Sequence, residues 1–293
     1  MYAGSLVALI TPFRDGRVDE QKLRELVQFQ VSNGTNGIVP CGTTGEAATL
    51  SEAEHDRIVR IVVETVAGRV PVVVGTGTND TVKCIKRTGA AKQAGADAAL
   101  IVTPYYNKPT QTGMLMHFRA IAESVDLPII LYNVPGRTGV NMLPETVARL
   151  AEMPGIVGIK EASGNLDQVT EIVKLCGPAF SVLSGDDSLT LPILSVGGKG
   201  VISVVANVAP KKMAELVRCF LTGDHERARA LHLELFDLCR AMFLETNPIP
   251  VKTAAGLMGL CNSEMRLPLS PLAESNVERL RRILMSHGLL PVS

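Results

Sequence analysis

Lys160 is the residue of this chain whose setting points most directly to chemistry. It follows the apolar run IVGI (156–159), which is typical of a buried strand, where an ammonium group is costly. Burial disfavours the charged form of an amine, and a neutral amine in a dry pocket can attack a ketone to form a Schiff base. Lys160 is therefore a candidate nucleophile. The alternative is that its side chain reaches solvent or pairs with Glu161, and this segment alone leaves both open.

Polar side chains also follow other apolar runs of the chain. Two threonines lie between glycines in GTTGE (42–46), where the backbone can approach a carboxylate closely. Tyrosines and an arginine follow in TPYYN (103–107) and YNVPGRTG (132–139). A tyrosine hydroxyl can relay protons, and an arginine can bind a carboxylate with two hydrogen bonds. Each segment by itself also fits an ordinary loop or a packing residue. Together with the lysine they predict an aldolase-like, carbonyl-condensing site.

The elements that must position these groups alternate regularly. Segments with helical spacing separate eight apolar runs, which lie at 6–10, 37–40, 70–74, 98–102, 128–132, 156–160, 180–183 and 200–204. Such alternation predicts parallel strands that close into a (β/α)8 barrel, with chemistry at the carboxyl ends of the strands. A doubly wound sheet is the alternative, but no GxGxxG follows the first strand. We predict a catalytic barrel over residues 1–223 and a helical extension over 224–293.

Composition narrows the class of protein. The 293 residues carry 29 basic and 29 acidic side chains without a like-charge run, so we expect neither a nucleic-acid nor a membrane partner. The six cysteines show no CxxC spacing, and the five histidines form no HxH or HExxH pair, so we expect no metal and no cofactor. The first residues do not have the features of a signal peptide, which predicts a cytoplasmic enzyme.

Six segments resemble, in order and spacing, those of the dihydrodipicolinate synthase family. They are GTTGE (42–46), TPYYNKP (103–109), YNVPGRTG (132–139), GIKEASGN (158–165), SGDD (184–187) and NPIPVK (247–252). The resemblance implies a lyase in which pyruvate forms an imine with Lys160 and then an enamine. The enamine attacks L-aspartate 4-semialdehyde to give 4-hydroxy-tetrahydrodipicolinate, the first committed step of diaminopimelate and L-lysine biosynthesis.

The resemblance also implies roles for the residues that match the family's site. It makes Lys160 the nucleophile, and the relay positions match Thr43, Tyr132 and Tyr106. The substrate-binding positions match Thr44 for the pyruvate carboxylate, Arg137 for the semialdehyde carboxylate, Gly185 and Ile202. Family members form tight dimers in which the tyrosine matching Tyr106 reaches the neighbour's site, and two dimers usually form a homotetramer.

Two other functions compete with this interpretation. N-acetylneuraminate lyases and keto-deoxy-sugar-acid aldolases resemble this chain in fold, Lys160 and Tyr132. The neuraminate lyases, however, typically have serine at the position of Thr43 and keep no arginine at that of Arg137. A paralogue that has lost catalysis and only binds or scaffolds is less favoured, because a scaffold has no need of a buried amine.

The resemblance further bears on feedback regulation. Lysine-inhibited members have an effector site that His55, Asn79 and Tyr105 match here, whereas Ala47 and Glu52 replace polar positions of that site. The glutamate that would pair with the effector's ammonium is replaced by Lys83. Because two cations at close range repel, we predict weak or absent inhibition by L-lysine. Cys41, beside the GTTGE segment, has no role that we can assign.

Overall fold

The computed structural model describes residues 2–291, and its centre is an eight-stranded parallel barrel. The strands are β1 (Gly4–Ala8), β2 (Gly37–Val39), β3 (Val73–Gly75), β4 (Ala98–Val102), β5 (Ile129–Asn133), β6 (Ile156–Glu161), β7 (Ser181–Ser184) and β8 (Gly200–Ser203). They pair in the order β2-β1-β8-β7-β6-β5-β4-β3, and a parallel bridge between Ile38 and Val72 joins the two ends. The predicted (β/α)8 barrel is confirmed.

Helices connect the strands and cover the outside of the barrel. They are α1 (Glu20–Ser32), α2 (Glu52–Val66), α3 (Thr81–Gln93), α4 (Gln111–Ser124), the short α5 (Pro135–Thr138), α6 (Pro144–Ala151), α7 (Leu166–Cys176), α8 (Thr190–Ser195), α9 (Pro210–Leu221), α10 (His225–Ala241), α11 (Ile249–Leu257) and α12 (Glu274–Ser286). A small hairpin (Phe13–Arg14 and Arg17–Val18) follows β1.

The strands are apolar on both faces because each face meets a different core. Along β1, Leu6 and Ala8 belong to the cluster that fills the barrel, whereas Val7 belongs to the larger cluster between the strands and the helices. Successive side chains of a strand point to opposite faces, so one run supplies both cores. This explains why the strands appear in the sequence as continuous apolar runs rather than as alternating ones.

Strand boundaries differ from the predicted runs by a few residues, for local reasons. β1 begins at Gly4 and ends at Ala8, and the N–H of Ile10 donates to the Asn207 side chain instead of to a strand. β3 begins only at Val73, and the N–H of Val72 donates to the Asp97 side chain at 2.8 Å instead of to a strand. Ser51 and Glu54 form a capping box at the start of α2.

The C-terminal segment packs closely on the barrel. Apolar residues of α10 belong to the same buried cluster as the barrel helices, and α10 lies mainly against α9. The predicted division at residue 223 stays a prediction. Within residues 2–291, no helix combines the length and the apolar character needed to cross a membrane.

Candidate active site

Lys160 lies on β6 inside the barrel, and its setting decides between the two interpretations of this residue. Its side chain is buried, with 5% of the residue exposed, and its Nζ is 4.4 Å from the centre of the Tyr132 ring. The strand ladder pairs the two residues directly, one on β6 and the other on β5. No carboxylate of residues 2–291 lies within 4.0 Å of Nζ. The amine therefore neither reaches solvent nor forms an ion pair.

Glu161 points to the other face of β6, away from Lys160, as strand alternation requires. Its carboxylate accepts hydrogen bonds from the Ser163 N–H at 2.7 Å, the Asn133 amide at 3.0 Å and the Gln168 amide at 3.3 Å. Burial raises the pKa of Glu161, and these donors oppose the shift. Because Asn133 follows Tyr132 and Glu161 follows Lys160, this buried network holds together the two strands that carry the candidate catalytic pair.

Two aspartates after β7 place acidic groups in the field of Lys160. Burial raises the pKa of Asp186 and of Asp187, and the charge of Lys160 opposes both shifts. Asp187 accepts a hydrogen bond from the Ser203 hydroxyl and from the N–H groups of Val204 and Val205, at 2.9 and 3.1 Å. These bonds hold the Asp187 carboxylate against the start of the loop after β8, rather than against the amine of Lys160.

A cavity of about 270 Å³ opens at the carboxyl ends of the strands. Thr43, Tyr132 and Arg137 all line it, so the structure brings together three predicted residues that lie far apart in the sequence. Thr44 is buried beside them, and its Oγ accepts a hydrogen bond from the Asn247 amide at 3.0 Å. Arg137 donates to the carbonyl oxygen of Asn247, also at 3.0 Å. The two candidate carboxylate-binding residues thus share one partner.

Three other predicted site residues have different surroundings. Ile202 is fully buried on β8, in the apolar cluster that also contains Tyr132. Gly185 follows β7, and a Cβ at this position would lie 2.5 Å from the Cβ of Ala162, so only glycine permits this close approach. Tyr106 is 89% exposed, and within this chain it does not join the other relay candidates.

The geometry can be compared with known proteins. The model of the dihydrodipicolinate synthetase family matches residues 1–287. The chain belongs to this family. It is 59% identical over 290 residues to the 4-hydroxy-tetrahydrodipicolinate synthase of Geotalea uraniireducens, covering 99% of this chain and 100% of that protein. The dihydrodipicolinate synthase structure from Aquifex aeolicus matches with a TM-score of 0.97 and 50% identity, over 98% of this chain and 99% of that one.

A further dihydrodipicolinate synthase, from Acinetobacter baumannii, has a crystal structure in complex with pyruvate. It matches this chain with a TM-score of 0.97 and 47% identity, over 98% of this chain and 99% of that one. The resemblance inferred from six short segments is therefore confirmed. Because these matches extend over essentially the whole chain, the C-terminal helices belong to the shared dihydrodipicolinate synthase fold together with the barrel.

Sequence reasoning missed how much of this dihydrodipicolinate synthase site comes from the C-terminal segment. Asn247 has no predicted role beyond its place in the NPIPVK segment, yet it contacts Thr44 and Arg137 and lines the cavity. Lys252 was not singled out, although it is fully buried and forms an ion pair with Glu46. A usable signal was present, because Lys252 lies in the apolar run PVKTAA (250–255), as Lys160 does in IVGIK (156–160).

Cys41 lies at the mouth of β2 and lines the same cavity. Its residue is only 2% exposed, and burial raises the pKa of its thiol. A thiol that stays protonated is a poor nucleophile. Cys41 therefore contributes to the wall of the cavity, and Lys160 stays the candidate nucleophile. Within residues 2–291, no group of three or more His, Cys, Asp or Glu side chains is arranged to hold a metal ion.

Proposed function

We propose that this chain is a 4-hydroxy-tetrahydrodipicolinate synthase, a lyase that condenses pyruvate with L-aspartate 4-semialdehyde through a Schiff base on Lys160. The observation that carries the proposal is a buried amine without a carboxylate partner, packed against a tyrosine that lines a cavity. The shared name of relatives that are 56–59% identical over their full length supports the reaction. The pyruvate complex of the Acinetobacter relative supports the first substrate.

In the proposed mechanism, neutral Lys160 attacks the keto carbon of pyruvate, and water leaves to give an imine. Loss of a proton from the methyl group forms an enamine, whose carbon attacks the aldehyde of the second substrate. The hydroxyls of Tyr132, Thr43 and Tyr106 relay the protons that these steps require. The amino group of the condensed product then displaces Lys160 as the ring closes, which frees the lysine for another cycle.

The proposed binding roles are those that the family resemblance implies, and the place of Arg137 in the cavity supports one of them. Arg137 lines the cavity and is proposed to bind the carboxylate of the semialdehyde, where a guanidinium can donate two hydrogen bonds. Thr44 is proposed to bind the pyruvate carboxylate. Gly185 and Ile202, on the loop after β7 and on β8, are proposed to complete the pocket around the imine.

Tyr106 and the assembly belong together in this proposal. Since Tyr106 is exposed in one chain, we propose that it completes the relay of a second copy in a tight dimer, within a cytoplasmic homotetramer. A mixed population of Lys160→Met and Tyr106→Phe chains tests this. Heterodimers would contain one complete site, so reassembly should restore roughly a quarter of the wild-type activity. Mixing that restores nothing would assign Tyr106 to its own chain, whereas Tyr106→Phe protein that is already active before mixing would remove Tyr106 from the relay.

The decisive test of the reaction is trapping with sodium borohydride in the presence of pyruvate, followed by peptide mass spectrometry. We expect one reduced pyruvyl adduct on Lys160, which L-aspartate 4-semialdehyde depletes when it is added before the borohydride. An adduct depleted only by N-acetylmannosamine or a sugar aldehyde would assign the chain to the lyase relatives. No adduct at all would favour a protein that has lost catalysis.

A further inference from the structure

The second buried lysine of the chain, Lys252 on α11, forms an ion pair with Glu46. Their Nζ and Oε1 atoms are 2.5 Å apart, and the two side chains are 0% and 1% exposed. Nζ also lies 4.0 Å from the centre of the Phe13 ring. The second carboxylate oxygen of Glu46 accepts the N–H of Arg266 at 3.2 Å. Both oxygens of Glu46 are thus bound by the C-terminal segment, from more than 200 residues away in the sequence.

Glu46 is the last residue of GTTGE, so this ion pair acts directly on the turn that carries Thr43 and Thr44. Glu46 has a left-handed backbone conformation, with φ of 55°. Residues other than glycine adopt this conformation at a cost in free energy. Its N–H closes the turn by donating to the Thr43 carbonyl at 3.1 Å. A strained residue persists only where its surroundings hold it, and here Lys252 and Arg266 do so.

The same C-terminal element holds the turn at a second point. Asn247, just before α11, donates its amide to Thr44 Oγ at 3.0 Å, while Lys252 binds Glu46 from within α11. Two contacts from one short element, on residues two apart, leave the turn little freedom to tilt. Loss of either contact would let the hydroxyl of Thr44 move relative to Lys160.

We propose that the Lys252–Glu46 ion pair is a positioning device that sets the Thr43–Thr44 turn for binding the carboxylate of pyruvate. The inference rests on the proposed function, because Thr44 is assigned to pyruvate only there. Lys252 and Glu46 are positioning residues, acting through the turn rather than on substrate. Their loss should weaken pyruvate binding much more than semialdehyde binding, since Arg137, on α5, donates to the Asn247 carbonyl oxygen rather than to Glu46.

The test is a titration of trapped adduct on Lys160 against pyruvate concentration, in the full-length protein. For Lys252→Met we expect the half-saturating pyruvate concentration and the steady-state KM for pyruvate both to rise about tenfold or more. The KM for L-aspartate 4-semialdehyde should stay within about twofold of the wild-type value. Lys212→Met is the matched control, because Lys212 pairs with Glu234 at 2.7 Å on the surface. It should leave both constants unchanged.

The double variant Glu46→Gln/Lys252→Met guards against loss of folding. It removes both buried charges at once and so should fold where the single variant does not. Its half-saturating pyruvate concentration should remain raised. A value within twofold of wild type in either folded variant, with only stability or kcat reduced, would overturn the positioning role and leave the pair purely structural. Wild-type protein that forms no adduct would instead remove the proposed function, and this inference with it.

Discussion

The chain buries two lysines in similar surroundings, and they differ in that one is the candidate nucleophile and the other is held in an ion pair. Both lie against an aromatic ring, Lys160 at 4.4 Å from the centre of Tyr132 and Lys252 at 4.0 Å from that of Phe13. Lys252 has a carboxylate at 2.5 Å, whereas Lys160 has none within 4.0 Å in the described residues 2–291. Burial lowers the pKa of Lys252, and the Glu46 carboxylate opposes that shift.

Both lysines are buried, so burial alone does not identify a catalytic amine. A lysine beside a carboxylate is held as an ammonium, and its lone pair is not available for attack on a carbonyl. No carboxylate of residues 2–291 lies within 4.0 Å of the Lys160 amine, so no ion pair occupies its lone pair. We infer that the contacting carboxylate, rather than the depth of burial, distinguishes the two lysines.

The largest effect on activity is expected from removing the amine of Lys160. Lys160→Met keeps a long apolar side chain in the barrel but removes the amine. We expect condensation activity to fall roughly a thousandfold or more, with no adduct after borohydride trapping. Lys252→Met should still form the adduct at saturating pyruvate. Steady-state assays and peptide mass spectrometry check both variants, and an adduct that persists in Lys160→Met would place the nucleophile elsewhere.

Stability should reverse the ranking of the two lysines. Removing one partner of a buried ion pair leaves the other charge uncompensated, so Lys252→Met should destabilise the fold by about 3–5 kcal/mol. Lys160→Met removes an amine that has no counterion and should leave the free energy of unfolding unchanged within about 1 kcal/mol. Denaturant titration measures both values. Equal losses for the two variants would contradict the distinction drawn here.

Tyr132→Phe keeps the ring that packs against Lys160 and removes only its hydroxyl. The variant keeps the packing against Nζ but loses the hydroxyl that we propose as a proton relay, so kcat should fall about a hundredfold. Imine formation needs the amine more than the hydroxyl, and the adduct should still be trapped, only more slowly. A kcat within threefold of wild type would remove Tyr132 from the relay.

The smallest expected effect concerns L-lysine as an effector. Lys83 is exposed, and the family resemblance implies that it replaces the acidic partner of the effector; His55 is buried with its Nε2 2.9 Å from the Gly75 carbonyl oxygen. We expect no more than a slight loss of activity at millimolar L-lysine in an initial-rate assay, since Lys83 would repel the ammonium of the effector. Half-inhibition below millimolar L-lysine would show that other groups bind it.

Much of the active-site prediction came from local patterns, and the structure shows where those patterns stop. The runs before Thr43, Tyr132 and Lys160 are strands, because a strand buried on both faces appears as an uninterrupted apolar run. Parallel strands in a barrel bring their carboxyl ends to one rim. The polar residues that follow the strands are therefore expected on that rim from the strand order alone. Tyr106 also follows an apolar run, yet it is exposed within one chain. The sequence pattern does not indicate whether such a residue points into the site of its own chain.

The sequence by itself determined the alternation of strands and helices, the side of the barrel that carries the chemistry and the identity of the candidate nucleophile. These depend on periodicity and on residues close together in the chain. Only the tertiary structure decided that Lys252 meets Glu46, that Asn247 joins Thr44 to Arg137, and that Lys160 has no counterion among the described residues. Such pairings join residues 110 to 206 positions apart. They arise from how the C-terminal segment packs over the barrel, which no local pattern encodes.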